Sequence, residues 1–244
     1  MPFRTSSPRR SGCSAVRAVL LWGSVLLLGG LTGCQQLPKV AVSWQGGPFF
    51  TPTNFSGVPL MPAEVRRVAV LPLSGLDGLP PETVAALESA LRAALLAEGR
   101  FEVVAVRREW MQAQAGRGAL ATSDQLPAPL FERLAREYSA DAVLLVDISH
   151  YRPYAPLALG VRAKLAFCAA PHAVFWAFDT LFDSRVPAVA NSARRHAAGG
   201  PAGKVDSGPV ALQSPSRFAA YVFADVFACL PQRPAPVPAA PPAR

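Results

Sequence analysis

Apolar and polar positions along the middle of this chain follow two periods in turn. Val68-Ala-Val-Leu-Pro-Leu73 is a short apolar run after the polar pair Arg66-Arg67, the pattern of a buried strand. Pro80 and Pro81 open a stretch in which Val84, Leu87, Leu91 and Leu95 recur at helical spacing, and Gly99 closes it. Phe101-Glu-Val-Val-Ala-Val106 predicts a second strand, Arg107 to Gln114 a short helix, and Pro127 to Tyr138 a helix with Leu130, Leu134 and Tyr138 on one face. Ala142-Val-Leu-Leu-Val146 has no polar residue at all. A strand that is apolar on both faces belongs in the middle of a sheet covered on both sides, and helical crossovers between the three runs make them parallel with right-handed connections.

The pattern then changes. Leu159, Val161, Ala163, Leu165 and Phe167 alternate with Gly160, Arg162, Lys164 and Ala166, and after Ala169-Ala-Pro-His172 comes Val174-Phe-Trp-Ala-Phe-Asp-Thr-Leu-Phe182. That is an antiparallel hairpin with one wet face. Pro187 to Ala198 predicts a helix and Gly199 to Pro209 a loop. Ser216 is placed to cap a last amphipathic helix through Phe218, Val222, Val226 and Cys229. The fold class that follows is α/β: a single three-layer domain, residues 63–230, with a mixed sheet of parallel strands plus an antiparallel hairpin, flanked by helices.

Both ends fall outside this pattern. Arg4, Arg9, Arg10 and Arg17 form a basic stretch without acidic residues, followed by the apolar run Ala18 to Leu31. At 14 residues that run is short for a bilayer span, which needs about 20, and it has the form of the apolar core of a secretory signal. It ends in Leu31-Thr32-Gly33-Cys34, which resembles the lipobox of bacterial lipoproteins, so residues 1–33 are expected to be a cleaved signal peptide and Cys34 the lipid-bearing first residue. Arg9-Arg10 suggests a twin-arginine route less well, because Ser11-Gly12-Cys13 lacks the apolar residues that normally follow. Gln35 stands where an aspartate would favour the inner membrane, which under the lipoprotein sorting rule points to the outer membrane. Residues 34–62 are rich in glycine and proline without periodicity, the composition of a flexible tether. Residues 231–244 hold six prolines and predict a polyproline-like, disordered tail.

Removing 33 of the 244 residues leaves 211, and with four arginines gone the formal charge falls from +8 to +4. That mild excess gives no argument for nucleic acid. The cysteines left are Cys34, Cys168 and Cys229; with Cys34 lipidated, Cys168 and Cys229 are expected to be either joined in a disulfide or both buried.

Chemistry-bearing motifs are scarce. The chain has no Gly-x-Ser-x-Gly elbow, no His-Glu-x-x-His, no phosphate-cradling glycine loop and no Cys-x-x-Cys, so no catalytic residue, cofactor or metal is expected. Asp147-Ile-Ser-His150 with Asp179 and Asp183 comes nearest to a site, but alternation along a strand separates Asp147 from His150. His172 and His196 are expected at the surface or as caps. The better candidate is the segment His150-Tyr-Arg-Pro-Tyr-Ala-Pro156, a loop that should leave the end of the central strand. Tyr151, Arg152 and Tyr154 are residue types that dominate binding at protein interfaces, and prolines restrict the backbone that carries them.

Arg67-Val-Ala-Val-Leu-Pro-Leu73, the helix after it, Phe101-Glu-Val-Val104, Asp141-Ala-Val-Leu-Leu-Val-Asp147 and the tryptophan strand Val174-Phe-Trp-Ala177 together resemble the CsgG, LpoB and TolB amino-terminal type of periplasmic domain over about Arg66 to Ser184. Where such chains carry a tight Thr-Gly turn before the tryptophan strand, this one has Ala169-Ala-Pro-His172. The resemblance implies binding of an envelope protein partner rather than catalysis. Two alternatives belong to other classes: a ring-forming secretion component like the curli channel, and an envelope hydrolase. A channel needs further amphipathic strands of about 9–11 residues, and 186–214, rich in Ala, Arg, Gly and Pro, supplies none.

Overall fold

The computed structural model describes residues 47–199 and 212–234. The signal segment, Cys34, most of the glycine-rich loop after Gly199 and the proline-rich end from 235 lie outside them. No helix among the described residues is long and apolar enough to cross a membrane.

Among the described residues six strands form one mixed sheet and five helices cover it. In chain order they are β1 (Asn54–Ser56), β2 (Arg67–Val70), α1 (Pro81–Glu98), β3 (Glu102–Ala105), α2 (Arg108–Ala115), α3 (Ala128–Tyr138), β4 (Ala142–Arg152), β5 (Ala158–Phe167), β6 (Val174–Asp183), α4 (Pro187–Ala197) and α5 (Pro215–Ala228). The strand order is β1-β6-β5-β4-β2-β3, with β2, β3 and β4 parallel and the other pairings antiparallel. Leu144, Val146 and Ile148 of β4 face a core shared with α1, α4 and α5, while Val143 and Leu145 face a second core under α2 and α3. The α/β three-layer architecture expected from the pattern is therefore the one observed.

Local chemistry sets the element ends. Pro81 starts α1 where a missing N–H costs nothing, and Gly99 ends it at φ 60°, a left-handed conformation open to glycine. Ser214, rather than Ser216, caps α5: its hydroxyl accepts from the Arg217 amide, and Ser216 sits inside the first turn with its hydroxyl against that of Ser214. β2 stops at Val70, short of the expected Leu73, because Pro72 has no amide to give the ladder. Hydrogen bonds from Leu71 to Leu144 and from Ser74 to Val146 nevertheless keep this segment alongside β4.

Residues 47–62 depart from the expected flexible tether. β1 pairs with β6, Met61 is fully buried, and Phe50 packs edge-on against Phe182 at 5.3 Å. The Asn191 side-chain amide donates to the Pro48 carbonyl at 3.1 Å and the Phe50 amide donates to Ser192 Oγ at 2.9 Å. Proline and glycine remove periodicity, but the carbonyls and aromatic rings between them still find partners on α4 and β6. At the other end, Gln232 accepts from the Met61 amide, so the packed region includes the first residues of the expected tail.

Cys168 and Cys229 are free thiols, so the disulfide considered from the sequence is not formed. Cys168 lies in the core under α3 and Cys229 packs against the core on the opposite face of the sheet. Burial pushes the Cys168 thiol up to about 12, with Asp141 adding to the effect.

Gly75 marks the tightest backbone approach in the domain. It sits at φ +73°, and a Cβ there would lie 2.2 Å from the Ile148 carbonyl oxygen. Gly75→Ala is expected to cost about 2–4 kcal/mol through clash and backbone strain. Urea unfolding of the two proteins checks this, and an unchanged midpoint would contradict the packing of the Ser74–Gly75 segment on β4.

Candidate functional site

A β-bulge shapes the end of the central strand. Ser149 and His150 together oppose Gly160, where a Cβ would lie 2.4 Å from Ser149 Oγ, so the strand can bulge only against a residue without a side chain. Beyond it pairing resumes, with Tyr151 opposite Leu159 and Arg152 opposite Ala158. The expected loop at 150–156 is therefore shorter: Tyr151 and Arg152 belong to β4, and only Pro153 to Leu157 turn into β5.

The three residues singled out from the sequence consequently do three different things. Arg152 reaches across Ala158 to Asp183 at the end of β6, with 3.2 Å to each carboxylate oxygen, and also donates to the Pro156 carbonyl. Asp183 is also held by Arg185, whose guanidinium comes within 2.6 Å and whose backbone amide donates to it at 2.9 Å. Hydrogen bonding to Arg185 above all, against the opposing effect of burial and with a contribution from Arg152, holds the Asp183 carboxyl down at about 2. Arg152 is thus a brace. Tyr151 is half-buried against the main core, and burial raises its phenol. Only Tyr154 stands free, at 80% exposure.

Tyr151, Pro153 and Tyr154 form one wall of a groove of about 560 Å³. Leu79 and Pro80 at the start of α1, with Pro215 and Ala219 in the first turns of α5, form the other. Of its lining residues only Glu82 carries a charge. Such a groove has no acid–base pair to drive a reaction. It can take an apolar or proline-containing segment against two phenol rings and offer their hydroxyls as hydrogen-bonding ends.

The remaining sequence candidates scatter. Asp147 is buried on the opposite face of the sheet and accepts from Ser74 Oγ at 3.1 Å, from the Thr122 amide at 2.6 Å and from Thr122 Oγ1 at 2.7 Å. His150 is exposed at the bulge, and Asp179 pairs with Arg162 at 3.1 Å on the open face of β5 and β6. His172 was expected to be superficial, but its ring stacks on Phe131 at 4.3 Å between centroids. His196 is exposed on α4, as expected, although partial desolvation of its ring lowers its pKa. No three His, Cys, Asp or Glu side chains converge as metal ligands among the described residues.

One cluster escaped the sequence reading. Tyr221 and Asp225 on α5 line a second cavity together with Ser192 and His196 on α4. Their four-residue spacing puts Tyr221 and Asp225 on the same face of the helix, and an acidic residue among Val222, Phe223 and Val226 was the available signal.

No protein-family model matches this chain, and no curated protein does. Among solved structures it is similar to the PelC dodecamer from Paraburkholderia phytofirmans, at 19% identity over 75% of this chain and 99% of that one, with a TM-score of 0.42. It is similar to lipoprotein GNA1162 from Neisseria meningitidis at 18% identity over 49% of this chain and 85% of that one, with a TM-score of 0.36. The LpoB C-terminal domain from Salmonella enterica is similar at 20% identity over 52% and 86%, with a TM-score of 0.33. LpoB, one of the proteins in the resemblance drawn from the sequence, is thus represented among these structures.

The Asp183 brace makes a pH prediction. Its carboxyl lies below the usual carboxylate range in the folded protein, so its contribution to stability is complete above pH ~4 and is lost as pH falls through about 2. Asp183→Asn is expected to melt lower than the wild type at pH 7 and to show a flatter loss of stability between pH 4 and 2. Thermal melts followed by circular dichroism across that range check both, and parallel curves for the two proteins would contradict the assignment.

Proposed function

We propose that this protein is a non-enzymatic lipoprotein of the outer membrane, anchored through Cys34 and facing the periplasm, that binds an envelope protein partner in assembly or maintenance of the cell envelope. The observation that carries the binding reading is Tyr154: an aromatic at 80% exposure on a proline-stiffened turn that Arg152 braces through the Pro156 carbonyl and Asp183, beside an apolar groove. A large rigid side chain held ready before binding loses little entropy on docking, which is how interface hot spots gain their affinity.

The anchoring reading rests on Leu31-Thr32-Gly33-Cys34 and the basic, then apolar, stretch before it. With the packed region beginning by Gly47, 12 residues (35–46) separate Cys34 from the domain, so their covalent reach is at most about 40 Å. The partner would be met near the membrane surface. Acyl chains contribute about 0.8 kcal/mol per buried methylene, and more than one chain gives stable attachment.

Two tests separate anchoring from binding. Cys34→Ala is expected to abolish incorporation of labelled palmitate and to release the protein from washed outer membranes; continued sedimentation after a high-salt wash would contradict the lipobox reading. Tyr154→Ala is expected to leave the melting temperature and membrane fraction unchanged while weakening in-cell crosslinking to the partner, by about 1–4 kcal/mol of affinity for a hot spot. Full crosslinking by this variant would make the turn a connector only.

A further inference from the structure

The second cavity, of about 470 Å³, lies where residues 47–50 cross α4 and α5. Phe49 and Phe50 come from the N-terminal segment, Ser192 and His196 from α4, and Tyr221 and Asp225 from α5. Tyr221 is 1% exposed and its hydroxyl stands beside the Asp225 carboxylate and Ser192, yet neither it nor the buried oxygen Oδ2 of Asp225 completes a hydrogen bond of ordinary geometry to a described residue. Buried polar atoms without partners are rare in folded proteins because each costs on the order of 1–3 kcal/mol. Two side by side in one cavity mark a place where a bound group has contacts to supply.

The chemistry of the walls selects what that is. A carboxylate oxygen can only accept, so the occupant must donate. The occupant also meets aromatic faces from Phe50 and Tyr221, so it must be attracted to, or tolerant of, a π surface. The domain supplies no cation for this: Arg195, on the cavity wall, lays its guanidinium over the Phe49 ring at 4.5 Å, and the Tyr221 phenol beside Asp225 is a neutral donor at most. Desolvation of the His196 ring lowers its pKa and so disfavours a competing positive charge there. An anion would face the Asp225 carboxylate, and a purely apolar group would leave both oxygens unsatisfied.

We infer that this cavity is a binding site for a primary ammonium group on a short apolar stem, with Asp225 as counter-ion, the Tyr221 and Ser192 hydroxyls as further acceptors, and the Phe50 and Tyr221 rings against the stem. Burial pushes the Asp225 carboxyl up to about 6, so the site is charged and competent above that pH and neutral below it. The titratable and charged groups around it are Tyr221 on α5 and Cys229 just past its end, His196 and Arg195 on α4, and Arg100 and Glu98 beyond Cys229; the crossing segment contributes none. A bound ammonium group favours the charged carboxylate and would lower its pKa, so binding should release protons near pH 6. The shared ligand chemistry has two sources, a free alkylamine or the lysine side chain of a protein.

Calorimetric titration of the full mature chain in non-ionic detergent with n-butylammonium at pH 7.5 tests the site, with n-butanol as the neutral isostere and Nα-acetyl-lysine methylamide as the side-chain mimic. Saturable binding of n-butylammonium is expected, at least tenfold tighter than n-butanol, at least tenfold weaker in Asp225→Asn, severalfold weaker in Tyr221→Phe, and at least fivefold weaker at pH 5. Tighter binding of the lysine mimic than of n-butylammonium would assign the site to a protein side chain, and equal or weaker binding to a free amine. Absence of saturable binding by both cations overturns the inference, as does equal affinity for n-butanol. The comparison at pH 5 uses the wild-type chain, so the test stands even if Asp225→Asn fails to fold: affinity unchanged between pH 7.5 and 5 overturns the role of Asp225.

Discussion

Everything in this domain follows from a central strand that buries both of its faces. Val143 to Ile148 present apolar side chains to two cores at once, and such a strand is stable only with a layer of structure on each side. One layer is α2 and α3; the other is α1, α4 and α5. Parallel β2 and antiparallel β5 complete the hydrogen bonding of β4, and the chain must return through helices to achieve the first and through a tight turn to achieve the second. The one buried charge on this strand, Asp147, is made tolerable by three donors from two loops. That ties the segment after β2 and the loop before α3 to the same point of the sheet.

Legibility in the sequence tracks how local the cause is. The helices around Leu87-Leu91-Leu95 and Leu130-Leu134, the apolar run at 142–146 and the alternating strands from Leu159 and Val174 are set by spacing within a few residues, and they appear where the pattern puts them. The role of Arg152 depends on Asp183, 31 residues away, and on a bulge that only Gly160 permits, so composition could single out the segment for recognition but could not show that Arg152 is engaged as a brace. The segment 47–62 was opaque for the same reason: its contacts are with Asn191, Ser192 and Phe182, far along the chain. Cysteine counting left the pairing of Cys168 and Cys229 open, because the number of thiols says nothing about which face of a sheet each occupies.

The groove at Tyr154 and the cavity at Tyr221 both use α5 but ask different things of it. At its first turns α5 offers Pro215 and Ala219, small and rigid residues that leave room beside Tyr151 and Tyr154. Farther along it offers Tyr221 and Asp225 toward α4 and the N-terminal segment. The helix is anchored between these surfaces by Phe218, Val222, Val226 and Phe227, all buried in the main core. Its position is therefore fixed by packing, in which the Tyr221 ring itself takes part against Phe182 and Phe218 while its hydroxyl faces the cavity.

Three aspartates withdrawn from solvent show how function separates from folding here. Asp147 is saturated by donors from Ser74 and Thr122; Asp183 is clasped by two guanidinium groups and an amide and held at about 2. Each contributes to the fold through the partners it gathers. Asp225 gathers no cation and no hydrogen bond of ordinary geometry among the described residues for its buried oxygen, and burial raises it to about 6 against the opposing effect of the Tyr221 phenol beside it. By linkage its raised carboxyl costs stability as pH rises through that value, the opposite sign to Asp183. A residue whose environment works against the folded state at neutral pH is not explained by folding, and in a cavity it has the signature of a binding group whose compensation comes from what it binds.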